Sequence, residues 1–267
     1  MASGSDSWSG LAMAEFRPVP ASDQGHTVRQ AHAVLDLPSR QWKALKIERL
    51  LQLDARPGLL RLLEVGTGSG GIAQYFGTHP TARFSVDAVD VIDNRLVSDA
   101  YRYTAVTDTR LPFDDDSFDV VLSNHVIEHV GDEAQQMAHL AELRRVMRAD
   151  AVGYLAVPNR WMPVEPHYQV AFLSWLPRAL RSPYLRLRKK GAHYDCEPLQ
   201  MRQLEEMLAG SGFASQNLCV SAMRLTLQIE RPDSSSTRLL ERIPDFLLEP
   251  LRAMIPTLIY RFWRHDT

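Results

Sequence analysis

Short apolar runs alternate with amphipathic stretches along the chain. From Ser39 to Leu53, Trp42, Leu45, Ile47, Leu50 and Leu51 recur near helical spacing with Arg and Lys between them, which predicts a helix. "LRLLEV" (60–65) then reads as a buried strand, and "GIAQYF" (71–76) as a helix after a glycine turn. "FSVDAVDV" (84–91), "FDVVLSN" (118–124) and "AVGYLAVP" (151–158) predict three more strands. Between the last two, "EAQQMAHLAELRRVM" (133–147) predicts a helix capped by Asp132. Strand and helix in repetition mean a mostly parallel sheet covered on both faces, an α/β doubly wound fold. "PTLIYRFW" (256–263) reads as a last, antiparallel strand, and "PDSSST" (232–237) as a linker.

Composition adds limits. A chain of 267 residues with ordinary apolar and charged fractions suits one large domain, taken as residues 31–267. Its first 30 residues, polar and rich in Gly and Ser, read as disordered and lack the pattern of a secretory leader. A net charge of −2 argues against a dedicated nucleic-acid binder. Two cysteines, Cys196 and Cys219, have neither the number nor the spacing of a zinc site or a disulfide framework, which suits a cytoplasmic protein. No apolar run reaches the ~18 residues of a membrane span.

The chemistry starts at "LLEVGTGSGG" (62–71). Gly66, Gly68 and Gly71 satisfy the dinucleotide pattern G-x-G-x-x-G, so the glycines alone do not choose a ligand. Glu64 does discriminate, because a carboxylate at the end of an apolar strand is costly unless it meets a donor or a cation. S-adenosylmethionine offers an ammonium where NAD offers phosphate. About 20 residues on, Asp90 ends the second strand where an acidic residue can accept both ribose hydroxyls. Asp87 and Asp93 compete for that role, but one falls within the strand and the other in the loop.

"LLEVGTGSGG", "VDAVDV", "LPFDDDSFDVVLSNHVIEHV" and "LAELRRVMRADAVGYLAVPN" follow in that order from about Leu59 to Asn159. Together they resemble the successive motifs of class I S-adenosylmethionine-dependent methyltransferases. The likeness is strongest to the subgroup that includes ubiquinone-pathway methyltransferases and enzymes of cell-surface glycan and glycolipid clusters. The resemblance implies a seven-stranded sheet with an antiparallel final strand. It implies a cofactor held by Glu64, Gly66, Thr67, Gly68, Gly70, Asp90 and Val91, with Asp108 and Thr109 beside the adenine. Asn124 and His125 would line the methionyl end. The family often has Pro-Gly-Gly before the equivalent of the fourth strand, where this chain has "RADAVG" with only Gly153 retained, which leaves that turn open. Leu111, Pro112 and Phe113 are expected to pack the loop, and "DDDS" (114–117) to form a solvated turn.

The acceptor side is less defined. A base is needed if the acceptor is a hydroxyl, and histidine suits neutral pH. His125, His129, His167 and His193 are the candidates; His125 and His167 are the expected catalytic pair, while His129 and Glu128 can serve as braces. His125, Glu128 and His129 also spell H-x-x-E-H. Some members of the resembled family hold Mg²⁺ through a similar segment with a carboxylate where this chain has His125, so no metal is expected. An acceptor-binding insertion is expected at about 160–197. It carries Trp161, Phe172, Trp175 and Tyr184, then Arg178, Arg181, Arg186, Arg188, Lys189 and Lys190. That mixture suits a glycan, glycolipid or lipid-linked acceptor, a weak peripheral contact with anionic membrane, or a solvated basic face. O-methylation is the expected reaction. A small-molecule methyltransferase and a non-catalytic cofactor-binding scaffold stay open.

Overall fold

The computed structural model describes residues 36–165 and 167–265, so the expectation for residues 1–30 lies outside the described residues. Helix α1 (Leu37–Leu51) is capped by Asp36, whose side chain accepts from the Ser39 amide. The remaining elements follow in chain order: β1 (Leu60–Val65), α2 (Gly71–Gly77), β2 (Phe84–Asp90), β3 (Arg102–Ala105), β4 (Phe118–Asn124), α3 (Glu133–Val146) and β5 (Met147–Pro158). After them come the short hairpin β6 (Val164–Glu165) and β7 (Val170–Ala171), then α4 (Arg178–Leu187), α5 (Met201–Gly210) and β8 (Phe213–Asn217). Helices α6 (Cys219–Glu230), α7 (Ser235–Arg242) and α8 (Asp245–Leu248) precede β9 (Thr257–Arg264).

Among the described residues the main sheet has seven strands in the order β3-β2-β1-β4-β5-β9-β8. The pairings from β3 through β5 are parallel, whereas β9 runs antiparallel to both β5 and β8. Alternate residues of β5 serve opposite faces. Leu155 and Val157 join a core with α3 and α5, whereas Tyr154 and Ala156 join one with α1 and α2. Burial on both faces explains why the central strands read as continuous apolar runs. The chain reverses direction across the sheet between β1 and β4, which opens a crevice at their carboxyl ends, the usual ligand position in such sheets.

Several details differ from expectation. Strands β3 and β8 carry no apolar run, because each is a short sheet edge with mostly exposed or half-buried positions. Trp42 stays 48% exposed, so α1 buries Ala44, Ile47, Leu50 and Leu51 without it. "PDSSST" is no linker: Ser234 caps α7 by accepting from the Thr237 amide, and the helix begins at Ser235. Met147 opens β5 directly after α3, with no intervening turn. The register with β4 jumps from Phe118↔Met147 to Val120↔Val152, so 148–151 bulge where the family turn was in question. The 114–117 turn is pinned rather than merely solvated, with Asp115 paired to Arg145 and Asp116 to Arg264. Leu111 is buried and Phe113 packs edge-on to Phe118, as expected, whereas Pro112 is exposed.

Candidate functional site

The crevice is built first by the turn after β1. Gly66 and Gly70 have φ of +78° and +81°, a region that favours glycine. A Cβ at Gly66 would collide with the Val126 side chain, and one at Gly70 with the Tyr101 hydroxyl and the Val97 carbonyl. The Gly66 and Thr67 amides donate to the Val89 carbonyl at 2.8 and 3.2 Å, which ties the turn to the end of β2.

Glu64 is 1% exposed, and Thr67 Oγ1 donates to its Oε2 at 2.8 Å. Burial pushes its carboxyl up to about 8, against the bonds from Thr67 and the Ala73 amide and the nearby Arg40. It is therefore mostly neutral at pH 7 and would ionise if a cation came beside it. Asp90 sits at the end of β2, accepting from the Gly68 amide at 2.8 Å with Oδ2 and from the Val91 amide at 2.7 Å with Oδ1. Its competitors have other work. Asp87 is buried and paired with Arg102 at 2.8 Å, and Asp93 is exposed and paired with Arg95 at 2.8 Å. Val91 is exposed beside Asp90, and Asp108 and Thr109 lie in the loop after β3, where Asp108 accepts from the Arg110 amide.

On the other side of the crevice, Asn124 ends β4 and His125 follows it. Asn124 Oδ1 is buried without a hydrogen-bond partner. His125 takes a left-handed backbone (φ +59°), unusual for a residue with a side chain, and its Nδ1 lies 3.2 Å from Glu128 Oε1. Burial lowers the His125 pKa despite that carboxylate, so its imidazole is neutral at pH 7. Glu128 is fully buried. Burial alone would raise its pKa, but the His125 bond and the charges of His129, His125 and His167 bring it below the ordinary value.

The insertion folds over this end with a small core of its own, including Tyr168, Leu173, Leu185 and Cys196. It delivers His167, whose Nδ1 lies 2.7 Å from Glu165 Oε1. Burial works against the charged ring, yet the Glu165 bond and the charges of Glu165, Glu128 and Asp195 raise the His167 pKa overall. The His167 ring stands edge-on to His125 and His129, with centroids 6.5 and 5.1 Å apart. Three of the four predicted histidines thus converge. His193 is exposed, 3.3 Å from the Ser182 hydroxyl, and is not brought into that group.

Three participants were missed. Glu165 had one signal, an acid two residues before His167. Cys196 was set aside on spacing, yet its Sγ lies 3.6 Å from His129 Nδ1 and 3.9 Å from His167 Nδ1. Lys43 of α1 sits close enough to influence His125 and Glu128, and burial first, then Arg40 and Lys46, lowers its ammonium to about 7. The basic run also needs correcting. Arg178 and Arg181 pair with Glu197 at 2.7 and 3.1 Å, so only Arg186, Arg188, Lys189 and Lys190 remain exposed without a carboxylate partner among the described residues.

A glycine turn under β1, an acid ending β2 and a polar end to β4, on a sheet with one reversed strand, are features shared with class I S-adenosylmethionine-dependent methyltransferases. Residues 63–155 of this chain match the methyltransferase domain family. Its curated relatives include the ubiquinone biosynthesis O-methyltransferase of Parvibaculum lavamentivorans, 30% identical over 128 residues, covering 45% of this chain and 49% of the relative. The protein of the same name from Rhizobium etli is 29% identical over 167 residues, 57% of this chain and 59% of the relative. The chain therefore spans about half the length of the curated relatives it matches. Among solved structures, a Haloferax volcanii methyltransferase in complex with the Trm112 activator superposes with a TM-score of 0.51 at 17% identity, over 86% of this chain and 92% of that one. The [4+2]-cyclase SpnF also gives 0.51, at 13% identity over 85% and 81%. These likenesses show the fold, which evidently hosts more than one chemistry.

S-adenosylmethionine is the cofactor of the class, and the crevice fits it. Glu64 is a buried carboxyl poised to ionise beside an ammonium, and Asn124 Oδ1 and Ser69 Oγ are buried polar atoms without partners. No helix among the described residues is long and apolar enough to cross a membrane.

Proposed function

We propose that the protein methylates a hydroxyl oxygen of a lipid-linked acceptor, with His125 as the base. S-adenosylmethionine, when bound, supplies the methyl group on a sulfonium. Glu64, Asp90 and Asn124 hold its polar groups, and the glycine turn lets the backbone approach closely. The observation that carries the reading is the His125 imidazole, aimed by Glu128 at the end of β4 and faced by His167 across the crevice. An imidazole so fixed takes the acceptor proton as the oxygen attacks, while Glu128 steadies the charge that forms on the ring. His167, held by Glu165, orients the acceptor from the insertion side.

Residues 160–197 are the acceptor-binding insertion in this reading. Trp161, Phe172 and Trp175 are each about half exposed and stack edge-on, with centroids 6.0 and 4.9 Å apart. Such a cluster, followed along the same segment by exposed Arg186, Arg188, Lys189 and Lys190, suits an acceptor that reaches the site from an anionic lipid surface. The relatives' name, ubiquinone biosynthesis O-methyltransferase, supports oxygen as the acceptor atom and the lipid branch of the expected acceptors.

The test is methyl transfer from labelled S-adenosylmethionine to cell extract, with lipid and aqueous fractions counted separately. Label is expected in the lipid fraction. Alanine at His125 should lower turnover by about 10²-fold or more with S-adenosylhomocysteine affinity unchanged. Label confined to the aqueous fraction would overturn the lipid acceptor, and full activity of the His125 variant would overturn the base.

A further inference from the structure

Helix α1 turns apolar on its inward side only from Ala44 onward. Ala44, Ile47, Leu50 and Leu51 pack with α2 and the sheet, but helical spacing starts the same side with Arg40 and Lys43, and Lys46 follows at its edge. We propose that Lys43 and Lys46 form a phosphate-binding subsite for the acceptor, so that the oxygen methylated beside His125 belongs to a phosphorylated molecule. The proposal rests on the methyl-transfer reading for its place in the crevice, and it holds for a lipid phosphate and for a soluble one.

The path of α1 carries it. The first turn of the helix crosses the cofactor turn, since a Cβ at Gly71 would collide with the Arg40 side chain. Arg40 acts on Glu64, so its charge belongs to the cofactor end. The helix then packs on the face of β5 that carries Tyr154 and Ala156, and the His125 amide donates to the Ala156 carbonyl at 2.8 Å. Lys43 therefore rides between the cofactor turn and the strand end that holds the base, and its charge bears on both His125 and Glu128. One turn further, Lys46 Nζ donates to Thr226 Oγ1 of α6 at 3.0 Å, and Thr226 is fixed by its own bond to the Ala222 carbonyl at 2.8 Å. That contact aims the Lys46 ammonium and leaves it two further N–H donors.

The chemistry selects the ligand. Lys43 and Lys46 are half-buried, and among the described residues neither forms an ion pair with a carboxylate. Half-buried ammonium groups three residues apart, with Cβ atoms about 5–6 Å from each other, repel and lack the partner that burial calls for. Glu128 and Glu230 act on Lys43 from the end of β4 and from α6, yet burial, Arg40 and Lys46 outweigh them and lower its ammonium to about 7. A phosphate seated between the two side chains relieves the repulsion and draws a full charge onto Lys43. Its charge of about −1.5 to −2 answers two cations, where a single carboxylate leaves one over.

The test is calorimetry on the protein loaded with S-adenosylhomocysteine, titrated with octyl phosphate, glucose 1-phosphate and octanoate. At least one phosphate should bind one to one, and octanoate at least tenfold more weakly. Lys43→Met and Lys46→Met should each weaken phosphate binding at least tenfold with S-adenosylhomocysteine affinity unchanged, whereas Lys189→Met leaves both as in the wild type. Octyl phosphate binding alone assigns a lipid phosphate, and glucose 1-phosphate binding a soluble acceptor. Without ligand, Lys43→Met should melt at or above the wild type, because an unpaired half-buried charge is gone; a lysine that only braces α1 would lower the melting temperature instead. Should Lys43→Met not fold, Lys46→Met at the helix edge gives the same reading. No phosphate binding at millimolar concentrations, octanoate bound as tightly, or binding that both variants leave unchanged overturns the subsite. These titrations need no turnover, so the His125 base and the lipid acceptor can each fail in the label assay while phosphate binding stands.

Discussion

Replacing Glu64 by Gln removes a charge and keeps the shape and the oxygen that accepts from Thr67. In the ligand-free protein the Glu64 carboxyl is pushed up to about 8 by burial, from an ordinary 4.5. At about 1.4 kcal/mol per pH unit, holding it ionised there costs on the order of 5 kcal/mol. The folded pKa is the higher one, so this group's contribution to stability is full below about 4.5 and is lost as pH rises through about 8. Gln has no such loss, and the variant should melt above the wild type at pH 8.5 and level with it at pH 4. Cofactor binding has the opposite dependence. An ammonium against Glu64 favours the carboxylate, so binding at pH 7 should release close to one proton. Affinity for S-adenosylhomocysteine should rise about 20-fold between pH 6 and 7.5 for a free-state value of about 8. Calorimetry in buffers of different ionisation enthalpy measures both the release and the affinity. In Glu64→Gln the release should vanish, the pH dependence should flatten, and affinity at pH 7.5 should fall at least tenfold. A wild-type affinity that is flat from pH 6 to 7.5, with no proton released, would refute the ammonium contact.

Gly66→Val forces a branched side chain into a left-handed turn against Val126, so cofactor binding should be lost while circular dichroism still reports the fold; retained binding would disprove the close backbone approach. Asp90→Ala should weaken S-adenosylhomocysteine binding at least tenfold. Asp87→Ala, which leaves Arg102 without its partner, should instead cost about 1–3 kcal/mol of stability with affinity near normal, and the reverse pattern would exchange their roles. The four exposed cations from Arg186 to Lys190 contribute about 1 kcal/mol each near an anionic surface, so co-sedimentation with anionic vesicles should fall steeply with salt and be absent with neutral lipid. Equal pelleting in every condition would leave them a solvated face.

What the sequence determined by itself was whatever one segment can encode. Strands β1, β2, β4 and β5 stood out because burial on both faces gives each a central apolar run, and the glycine turn because its backbone admits no side chain. Asp132 announced α3 through a capping box closed within four residues. Strands β3 and β8 escaped notice because a sheet edge asks little of its side chains, and α7 because its serines read equally as cap and as linker. Tertiary structure decided the rest. Only the packed turn shows that Glu64 is neutral before a ligand arrives, and only the sheet shows Asp87 answering Arg102. Glu197 claims Arg178 and Arg181 from across the insertion, which takes two of the six cations from the basic face that spacing suggested. Cys196 reaches His129 across 67 residues of chain, and no periodicity within either segment carries that distance. Local pattern reports how deeply a residue is buried; which groups it meets there depends on the path of the whole chain.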